Sequence, residues 1–147
     1  MPISKIEFTK LEKEVSDSKK PILHHLAQDI GKAYVVSITR DGCPACKRQK
    51  PRMIKLKKST AEKYGNEVVF TEVHVNYRPG QDKESQRSKN LFGHYFYPTN
   101  LILLRTADRG AIEYYRNASA PMTELKRNIQ AAFETAAMIE KEAHKKR

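Results

Sequence analysis

The most constraining feature of the 147-residue sequence is a pair of cysteines separated by two residues. Cys43 and Cys46 lie where an apolar run, residues 33–39, gives way to a long lysine-rich segment. The run is typical of a strand covered on both faces, and the segment after it favours a helix. A strand-to-helix turn brings the two sulfur atoms close enough to form a disulfide or to bind a metal ion. The spacing alone does not decide between these.

The residues around the pair favour redox chemistry at Cys43. A sulfur at a helix N-cap faces unpaired amide groups and the positive end of the helix dipole, which stabilise a thiolate. Pro44 suits the first helical position, where a missing N–H costs nothing. Basic residues follow Cys46, with no acidic residue before Glu62, and they add positive potential. We therefore predict that Cys43 is the nucleophile of thiol–disulfide exchange and that Cys46 is the resolving thiol.

Two other interpretations of the cysteine pair stay open. A structural disulfide that closes so short a loop constrains the unfolded chain little and adds little stability. Zinc needs four ligands, and the sequence has neither a second CxxC motif nor a His-x-x-x-His pair. We expect no metal and no cofactor, because in thiol–disulfide exchange the electrons reside on the two sulfur atoms.

Length and composition predict a single domain over residues 1–147, with a short charged tail at about 141–147. No apolar run is long enough to cross a bilayer, and the first residues lack the apolar region of a signal peptide. We therefore expect a cytoplasmic protein with no membrane partner. In that reducing compartment a lone CxxC pair is more often redox-active than structural.

The net charge of +11 at pH 7 is large for a chain of this length. Such a charge suits acidic protein clients, an anionic surface or nucleic acid. The basic residues fall mostly on predicted helices and tails and match no common nucleic-acid-binding motif. Nucleic acid is therefore a possible partner but not the favoured one, and a solvated basic face is the ordinary interpretation.

Hydrophobic periodicity predicts alternating strands and helices. Thr9 and Glu12 form a capping-box pattern, Gly31 is predicted to end the second helix, and Pro51 to kink the third. The predicted strands are residues 3–8, 33–39, 68–75, 101–104 and 112–115, and the predicted helices begin at Thr9, at Pro21 (ending at residue 30), at Pro44, near Ser85 and near Pro121. A strand, a long helix and a strand in succession imply a parallel crossover.

This order resembles that of the thioredoxin superfamily over nearly the whole chain. Three local matches carry the resemblance: Cys43-Pro44-Ala45-Cys46 at the strand-to-helix turn, Pro51 five residues later, and the segment 92–99 with Pro98. The resemblance implies an α/β fold, a three-layer α/β/α sandwich with a central mixed sheet. It also implies a protein disulfide oxidoreductase that acts on protein disulfide or thiol clients, with a reductase or a small thiol as electron donor.

The same resemblance assigns roles in client binding. Pro98 would be a cis-proline beside the cysteines, and the backbone of Tyr97 would pair with an extended client segment. Tyr95 and Thr99 belong to the same predicted client-binding segment. The aromatic side chains of this region are candidates for an apolar platform, with core packing as the alternative for at least half of them: Phe92, Tyr95, Phe96 and Tyr97.

The sequence also departs from the superfamily pattern. It contains no tryptophan, and Gly42 stands where an aromatic residue usually precedes the first cysteine. The buried aspartate of thioredoxins corresponds to Ser37, and its lysine neighbour to Glu72. We therefore hypothesise that Glu72 carries the proton of Cys46, with a solvent-facing Glu72 as the alternative. The Pro-Ala pair between the cysteines is neither Gly-Pro nor Pro-Tyr, so the direction of electron flow is not assigned.

A second class of function stays open beside the enzyme. The fold can serve as a non-catalytic adaptor or binding module within a larger assembly, using the basic surface of the helix that follows Cys46.

Overall fold

The computed structural model describes residues 3–118 and 121–145 of the chain. Within these residues five strands and five α-helices follow in this order: β1 (Ser4–Glu7), α1 (Phe8–Ser18), α2 (Ile22–Leu26), β2 (Ala33–Arg40), α3 (Pro44–Tyr64), β3 (Val68–Val75), α4 (Lys83–Phe92), β4 (Thr99–Arg105), β5 (Ala111–Asn117) and α5 (Met122–Lys145), with a short 3-10 helix (Gly65–Glu67) between α3 and β3. None of the helices in these ranges combines the length and the apolar character needed to cross a membrane.

The strands form a mixed sheet in the order β1-β3-β2-β4-β5. Strands β1 and β2 both pair with β3 in parallel, whereas β4 pairs antiparallel with β2 and β5 pairs antiparallel with β4. The long helix α3 connects the parallel neighbours β2 and β3, as the sequence predicts. The predicted fold class, an α/β/α sandwich with a central mixed sheet, is confirmed.

Two apolar cores lie on the two faces of the sheet. Helices α1, α2 and α4 cover one face, where Phe8, Leu11 and Phe92 pack against Val36 and Ile38 of β2. Helices α3 and α5 cover the other face, and their buried contributions are Met53, Leu56, Leu125, Ile129, Ala132 and Ala136. Strand β2 is buried on both faces because its alternate side chains enter the two cores. The site described below lies at the end of this central strand.

Two predicted helix boundaries are wrong. Helix α1 begins at Phe8, and its N-cap residue is Glu7 rather than Thr9. Phe8 is fully buried and its ring centroid lies 6.3 Å from that of Phe92, so tertiary packing decides where this helix starts. Helix α2 ends at Leu26 instead of residue 30. The amide of Asp29 donates to the hydroxyl of Tyr34 in β2 at 2.9 Å, which diverts this backbone from helical pairing.

Helix α5 extends to Lys145, well into the segment predicted as a charged tail. Residues 146 and 147 lie outside the described residues. A single domain over residues 1–147 stays a prediction, as does a kink at Pro51, which lies inside helix α3.

Candidate redox site

The cysteine pair occupies the start of helix α3. Cys43 is the N-cap residue, Pro44 takes the first helical position, and the two cysteines form a disulfide with Cα atoms 5.2 Å apart. The amide of Cys46 donates to Cys43 Sγ over 3.1 Å, so the sulfur satisfies a first-turn amide that would otherwise lack a partner. A donor aimed at this sulfur also stabilises a negative charge on it once the disulfide is reduced.

The backbone before the pair explains why Gly42 replaces the expected aromatic residue. Gly42 has φ +65°, in the left-handed region that glycine adopts without steric cost and that a bulky aromatic residue adopts only with strain. Strand β2 therefore turns into helix α3 through a position that favours glycine.

The two sulfur atoms face different surroundings. Cys43 and Cys46 are only 3% and 9% exposed, so exposure does not identify the nucleophile. Cys43 Sγ lies 3.6 Å from the carbonyl oxygen of Tyr97, whereas Cys46 lines a cavity of about 170 Å³ beneath the helix. Cys46 therefore lies at a cavity wall, and the first-turn amide distinguishes Cys43 as the sulfur at which charge is stabilised.

The segment predicted to bind clients lies beside Cys43. The Tyr97–Pro98 peptide bond is cis. Tyr95 and Phe96 are 79% and 65% exposed and form an apolar surface next to the site, while Phe92 belongs to the core. Thr99 is buried and its hydroxyl donates to the carbonyl of Phe96 over 2.7 Å, so its side chain holds the loop rather than reaching outward.

The ring of Tyr97 is fixed by polar and aromatic contacts. Its hydroxyl is 2.9 Å from that of Ser85, and the guanidinium of Arg40 lies 5.6 Å from its ring centroid. Burial raises the pKa of the Tyr97 hydroxyl above its ordinary value. These contacts hold the carbonyl that approaches Cys43.

His94 is a buried, neutral support of the same loop. Its Nε2 lies 2.9 Å from the hydroxyl of Ser88, and its Nδ1 lies 3.3 Å from the carbonyl oxygen of Phe96. Burial lowers the pKa of His94 to about 4, against the opposing effect of the Phe96 carbonyl. The imidazole is therefore uncharged near neutral pH. Its ring packs edge-to-face with that of Tyr97, with the ring centroids 4.9 Å apart.

Ser37, at the predicted position of the thioredoxin aspartate, belongs to a cluster of neutral side chains near Cys46. Its hydroxyl donates to Asn100 Oδ1 at 2.7 Å, and Gln49 of α3 exchanges two hydrogen bonds with the Asn100 amide at 3.1 and 2.8 Å. Asn100 also donates to Asn117 of β5 at 3.1 Å. Because hydroxyl and amide groups do not titrate in the physiological range, this cluster cannot take a proton from Cys46.

Glu72 lines the same cavity as Cys46. Its Oε2 accepts a hydrogen bond of 2.6 Å from the hydroxyl of Thr39. The side chain is half-buried and lies at the cavity wall. Among the residues that line this cavity in the described part of the chain, Glu72 supplies the carboxylate.

The sequence alone does not point to three polar residues that continue in a chain from Glu72: Thr39, His74 and Asp41. Thr39 Oγ1 lies 3.3 Å from His74 Nδ1, and His74 Nε2 lies 2.8 Å from Asp41 Oδ1. The amide of Tyr77 donates to the other Asp41 oxygen at 3.1 Å, and this bond, followed by that to His74, lowers the pKa of Asp41. The available signal was the spacing: polar residues at alternate positions on one face of two apolar strands.

Within residues 3–118 and 121–145, no group of three or more His, Cys, Asp and Glu side chains is arranged to hold a metal ion.

The sheet order and the disulfide at the start of α3 define a thioredoxin-like fold with a CxxC pair. The chain is similar to Chlamydomonas reinhardtii thioredoxin f2, with 16% identity, coverage of 88% of this chain and 94% of that chain, and a TM-score of 0.58. It is similar to the short form of spinach chloroplast thioredoxin f, with 21% identity, coverage of 89% and 93%, and a TM-score of 0.55. It is also similar to Nicotiana alata thioredoxin NaTrxh, with 22% identity, coverage of 90% of this chain and 95% of that chain, and a TM-score of 0.55.

No known family model matches the sequence, and no curated protein matches it. At these identities the similarity establishes the fold, and the predicted resemblance to the thioredoxin superfamily is confirmed at that level.

Proposed function

We propose that this protein is a thiol–disulfide oxidoreductase that exchanges electrons with protein disulfides through Cys43 and Cys46. The observation that carries the proposal is the disulfide at the start of α3, with the Cys46 amide donating to Cys43 Sγ. This arrangement stabilises a thiolate at Cys43, and the thiolate is the species that attacks a disulfide. A structural disulfide across two intervening residues would gain little stability.

The exchange proceeds in two steps. The Cys43 thiolate attacks one sulfur of a client disulfide, the client S–S bond breaks, and the leaving client thiolate takes up a proton. Cys46 then loses its proton and attacks Cys43 Sγ, which releases the second client thiolate and forms the Cys43–Cys46 disulfide. Two electrons pass from the protein to the client, and the reverse sequence oxidises a client. The redox-active disulfide needs no further cofactor.

Client positioning is assigned to the segment that faces Cys43. The carbonyl of Tyr97 lies 3.6 Å from Cys43 Sγ, which suits pairing between this backbone and an extended client. Pro98 leaves no amide there to compete for that pairing, and Thr99 holds the loop from beneath. The exposed rings of Tyr95 and Phe96 offer an apolar contact beside the sulfur.

Glu72 is proposed as the proton carrier for Cys46. It lines the cavity that Cys46 also lines, and the neutral cluster around Ser37 leaves no other carboxylate in that wall within the described residues. A carboxylate positioned near a reacting thiol contributes as a general base.

The proposal includes partners and location. Clients are protein disulfides or thiols, with acidic ones favoured by the net charge of +11, and a reductase or small thiol supplies electrons. Because the only cysteines form the CxxC pair, a reducing cytoplasm suits the protein. Because the similar structures include a chloroplast thioredoxin, imaging of a tagged protein tests the compartment.

Reduction of insulin by dithiothreitol tests the proposed activity. We expect the wild-type protein to accelerate the reaction and Cys43→Ser to return it to the uncatalysed background, because the nucleophile is lost. Cys46→Ser should accumulate a mixed disulfide with the client, which intact-mass measurement detects, because Cys46 performs the release. Wild-type protein without acceleration, or an active Cys43→Ser variant, contradicts the proposal.

One observation favours a second candidate, a binding adaptor. Basic side chains on α3 are exposed, and they include Lys47, Arg48, Arg52, Lys55 and Lys58. A double Cys43→Ser, Cys46→Ser variant that still binds nucleic acid or an acidic protein, with affinity falling as salt rises, supports the adaptor. Absence of such binding removes it.

A further inference from the structure

We propose that Thr39 and His74 form a proton relay that connects Glu72 with solvent at Asp41 and serves Cys46 in the resolving step. The inference rests on the proposed thiol–disulfide exchange, in which Cys46 gives up a proton before it attacks Cys43. Glu72 takes that proton, and the relay returns the carboxylate to its ionised form for the next turnover.

The relay follows from the register of two parallel strands. Ser37 of β2 is paired with Glu72 of β3, and Thr39 is paired with His74. Alternate residues of a strand share a face, so all four side chains lie on the face covered by α3. Thr39 stands between the carboxylate and the imidazole, with its hydroxyl oxygen 2.6 Å from Glu72 Oε2 and 3.3 Å from His74 Nδ1.

Cys46 and Glu72 both line the cavity of about 170 Å³. Liquid water occupies about 30 Å³ per molecule, so the space accommodates several. Its polar lining, which includes Ser37 and Gln49, offers those molecules hydrogen-bond partners. A proton can therefore pass from the Cys46 thiol to the Glu72 carboxylate through water.

The hydrogen bonds of Thr39 allow two arrangements that differ by one proton transfer. In the first, protonated Glu72 donates to Thr39 Oγ1, and the Thr39 hydroxyl donates to Nδ1 of neutral His74, whose Nε2–H donates to Asp41. In the second, Thr39 donates to ionised Glu72, and both nitrogens of His74 carry protons. The change from the first arrangement to the second transfers a proton from Glu72 to His74. Thr39 gives its hydroxyl proton to His74 and receives the proton of Glu72. The His74 imidazolium then loses its Nε2 proton to solvent at Asp41, and exchange of the remaining Nδ1 proton for one at Nε2 through solvent restores the first arrangement.

The solvent end of the relay carries a permanent acceptor. The Asp41 carboxylate side chain is 49% exposed, and His74 is 16% exposed. The Tyr77 amide and His74 keep the pKa of Asp41 below its ordinary value, so Asp41 stays ionised and can accept a hydrogen bond from His74 Nε2.

The other charged groups near the relay come from three elements. Lys5 of β1 is paired in register with Glu72, and Glu7 with His74. Lys50 of α3 lines the cavity, and Arg78 acts on Asp41 from the loop after β3. The relay therefore runs from cationic side chains at its Glu72 end to carboxylates at its His74 end.

Stopped-flow kinetics of a single turnover with a disulfide peptide test the relay. Thr39→Val removes the hydroxyl at nearly constant shape, and Thr39→Ser retains it. We expect Thr39→Val to slow the release of the second client thiol by about 10-fold or more near neutral pH, while the first attack by Cys43 keeps its rate. The deficit should shrink at alkaline pH, where hydroxide removes the Cys46 proton directly. His74→Gln should show the same profile, whereas the distant His25→Gln should match wild type.

Nuclear magnetic resonance supplies a readout that does not depend on turnover. In the reduced protein we expect the carboxyl carbon of Glu72 and the ring of His74 each to report the other's titration, because the hydroxyl couples them. Thr39→Val should leave each group a single step, and Thr39→Ser should restore the coupling.

The outcomes separate the relay from the proposed function. Active Thr39→Val and His74→Gln proteins with wild-type pH profiles and uncoupled titrations overturn the relay and leave the oxidoreductase in place. A wild-type protein that does not exchange disulfides overturns the proposed function, and with it the role of the relay in removing the Cys46 proton. In folded variants the titrations then decide whether Glu72 and His74 still share a proton.

Discussion

At the scale of single residues, the interior around the disulfide is kept free of charge. Ser37 and Asn100 replace an ionisable group with hydroxyl and amide hydrogen bonds. His94 is 2% exposed and stays neutral because burial opposes its protonation. The ionisable groups that the proposals use, Glu72 and His74, lie instead at a cavity wall and near solvent.

His94 makes the stability of the fold depend on pH. Its pKa is about 4 in the folded protein and near the ordinary value of 6.5 when unfolded, so the unfolded state binds more protons between these values. The contribution of His94 to the free energy of unfolding is therefore fully present above the unfolded pKa and is lost as the pH falls toward the folded pKa. From about pH 7 to about pH 5 we expect this group to lower the free energy of unfolding by about 2 kcal/mol. Denaturant titrations over this range measure the slope.

His94→Gln isolates that contribution, since an amide can keep a bond to Ser88 without titrating. In this variant the difference in the free energy of unfolding between about pH 7 and about pH 5 should be smaller than in wild type by about 2 kcal/mol. The control His144→Gln, at the exposed end of α5, should retain the wild-type difference. An unchanged slope in His94→Gln would show that another group causes the pH dependence.

At the scale of elements, the side chain of Asn100 ties four of them together. It belongs to β4 and bonds to Ser37 of β2, Gln49 of α3 and Asn117 of β5. Asn117 in turn donates to the hydroxyl of Tyr115. That hydroxyl donates to Glu124 of α5 at 2.6 Å. The redox helix is therefore positioned against the sheet by polar contacts as well as by apolar packing.

Asn100→Ala should destabilise the protein strongly. It leaves Ser37, Gln49 and Asn117 without their shared partner inside the structure, and unsatisfied buried groups are costly. We expect a loss of about 2 to 4 kcal/mol in the free energy of unfolding, measured by denaturant titration. Asn90→Ala, at an exposed position of α4, should change it by less than about 0.5 kcal/mol. Equal effects of the two variants would refute the role of the cluster.

The elements that the sequence predicts best are the two long strands rich in β-branched residues. Strand β3 has the predicted bounds, and β2 extends one residue beyond its predicted end, because continuous β-branched runs suit a covered sheet. The helix ends fail where distant residues decide them. Phe8 is drawn into the core with Phe92, and the Asp29 amide turns to Tyr34, and neither contact leaves a local signal.

At the scale of the whole molecule, the net charge of +11 creates a long-range field around a buried sulfur pair. The exposed cations of α3 follow directly after the disulfide, so the field is expected to be strongest near the site. We expect this field to steer acidic disulfide peptides toward Cys43 and to repel basic ones.

Two disulfide peptides of equal length and opposite charge test this steering. We expect kcat/KM for the acidic peptide to exceed that for the basic one by about 10-fold at low ionic strength, because attraction raises the encounter rate. The ratio should approach one at about 1 M salt, where the screening length is about 3 Å. A ratio that does not respond to salt would assign the preference to local contacts.

The sequence predicts only part of the candidate site. The CxxC motif and the segment up to Pro98 are local patterns, so the residues around Cys43 follow from them directly. The cavity and the relay depend on which positions of β2 and β3 face each other, and register is a property of the assembled sheet. Thr39, His74 and Asp41 are unremarkable until Thr39 is paired with His74.

The cavity beneath Cys46 has an edge strand as one of its walls. Strand β1 is four residues long, pairs only with β3 in the described sheet, and places Lys5 in that wall. Short edge strands open by local fluctuation at far lower free energy than the centre of a sheet. Fraying of β1 therefore admits bulk solvent to the chamber below Cys46 without unfolding the rest, and amide hydrogen exchange along Ser4–Glu7 records how often that happens.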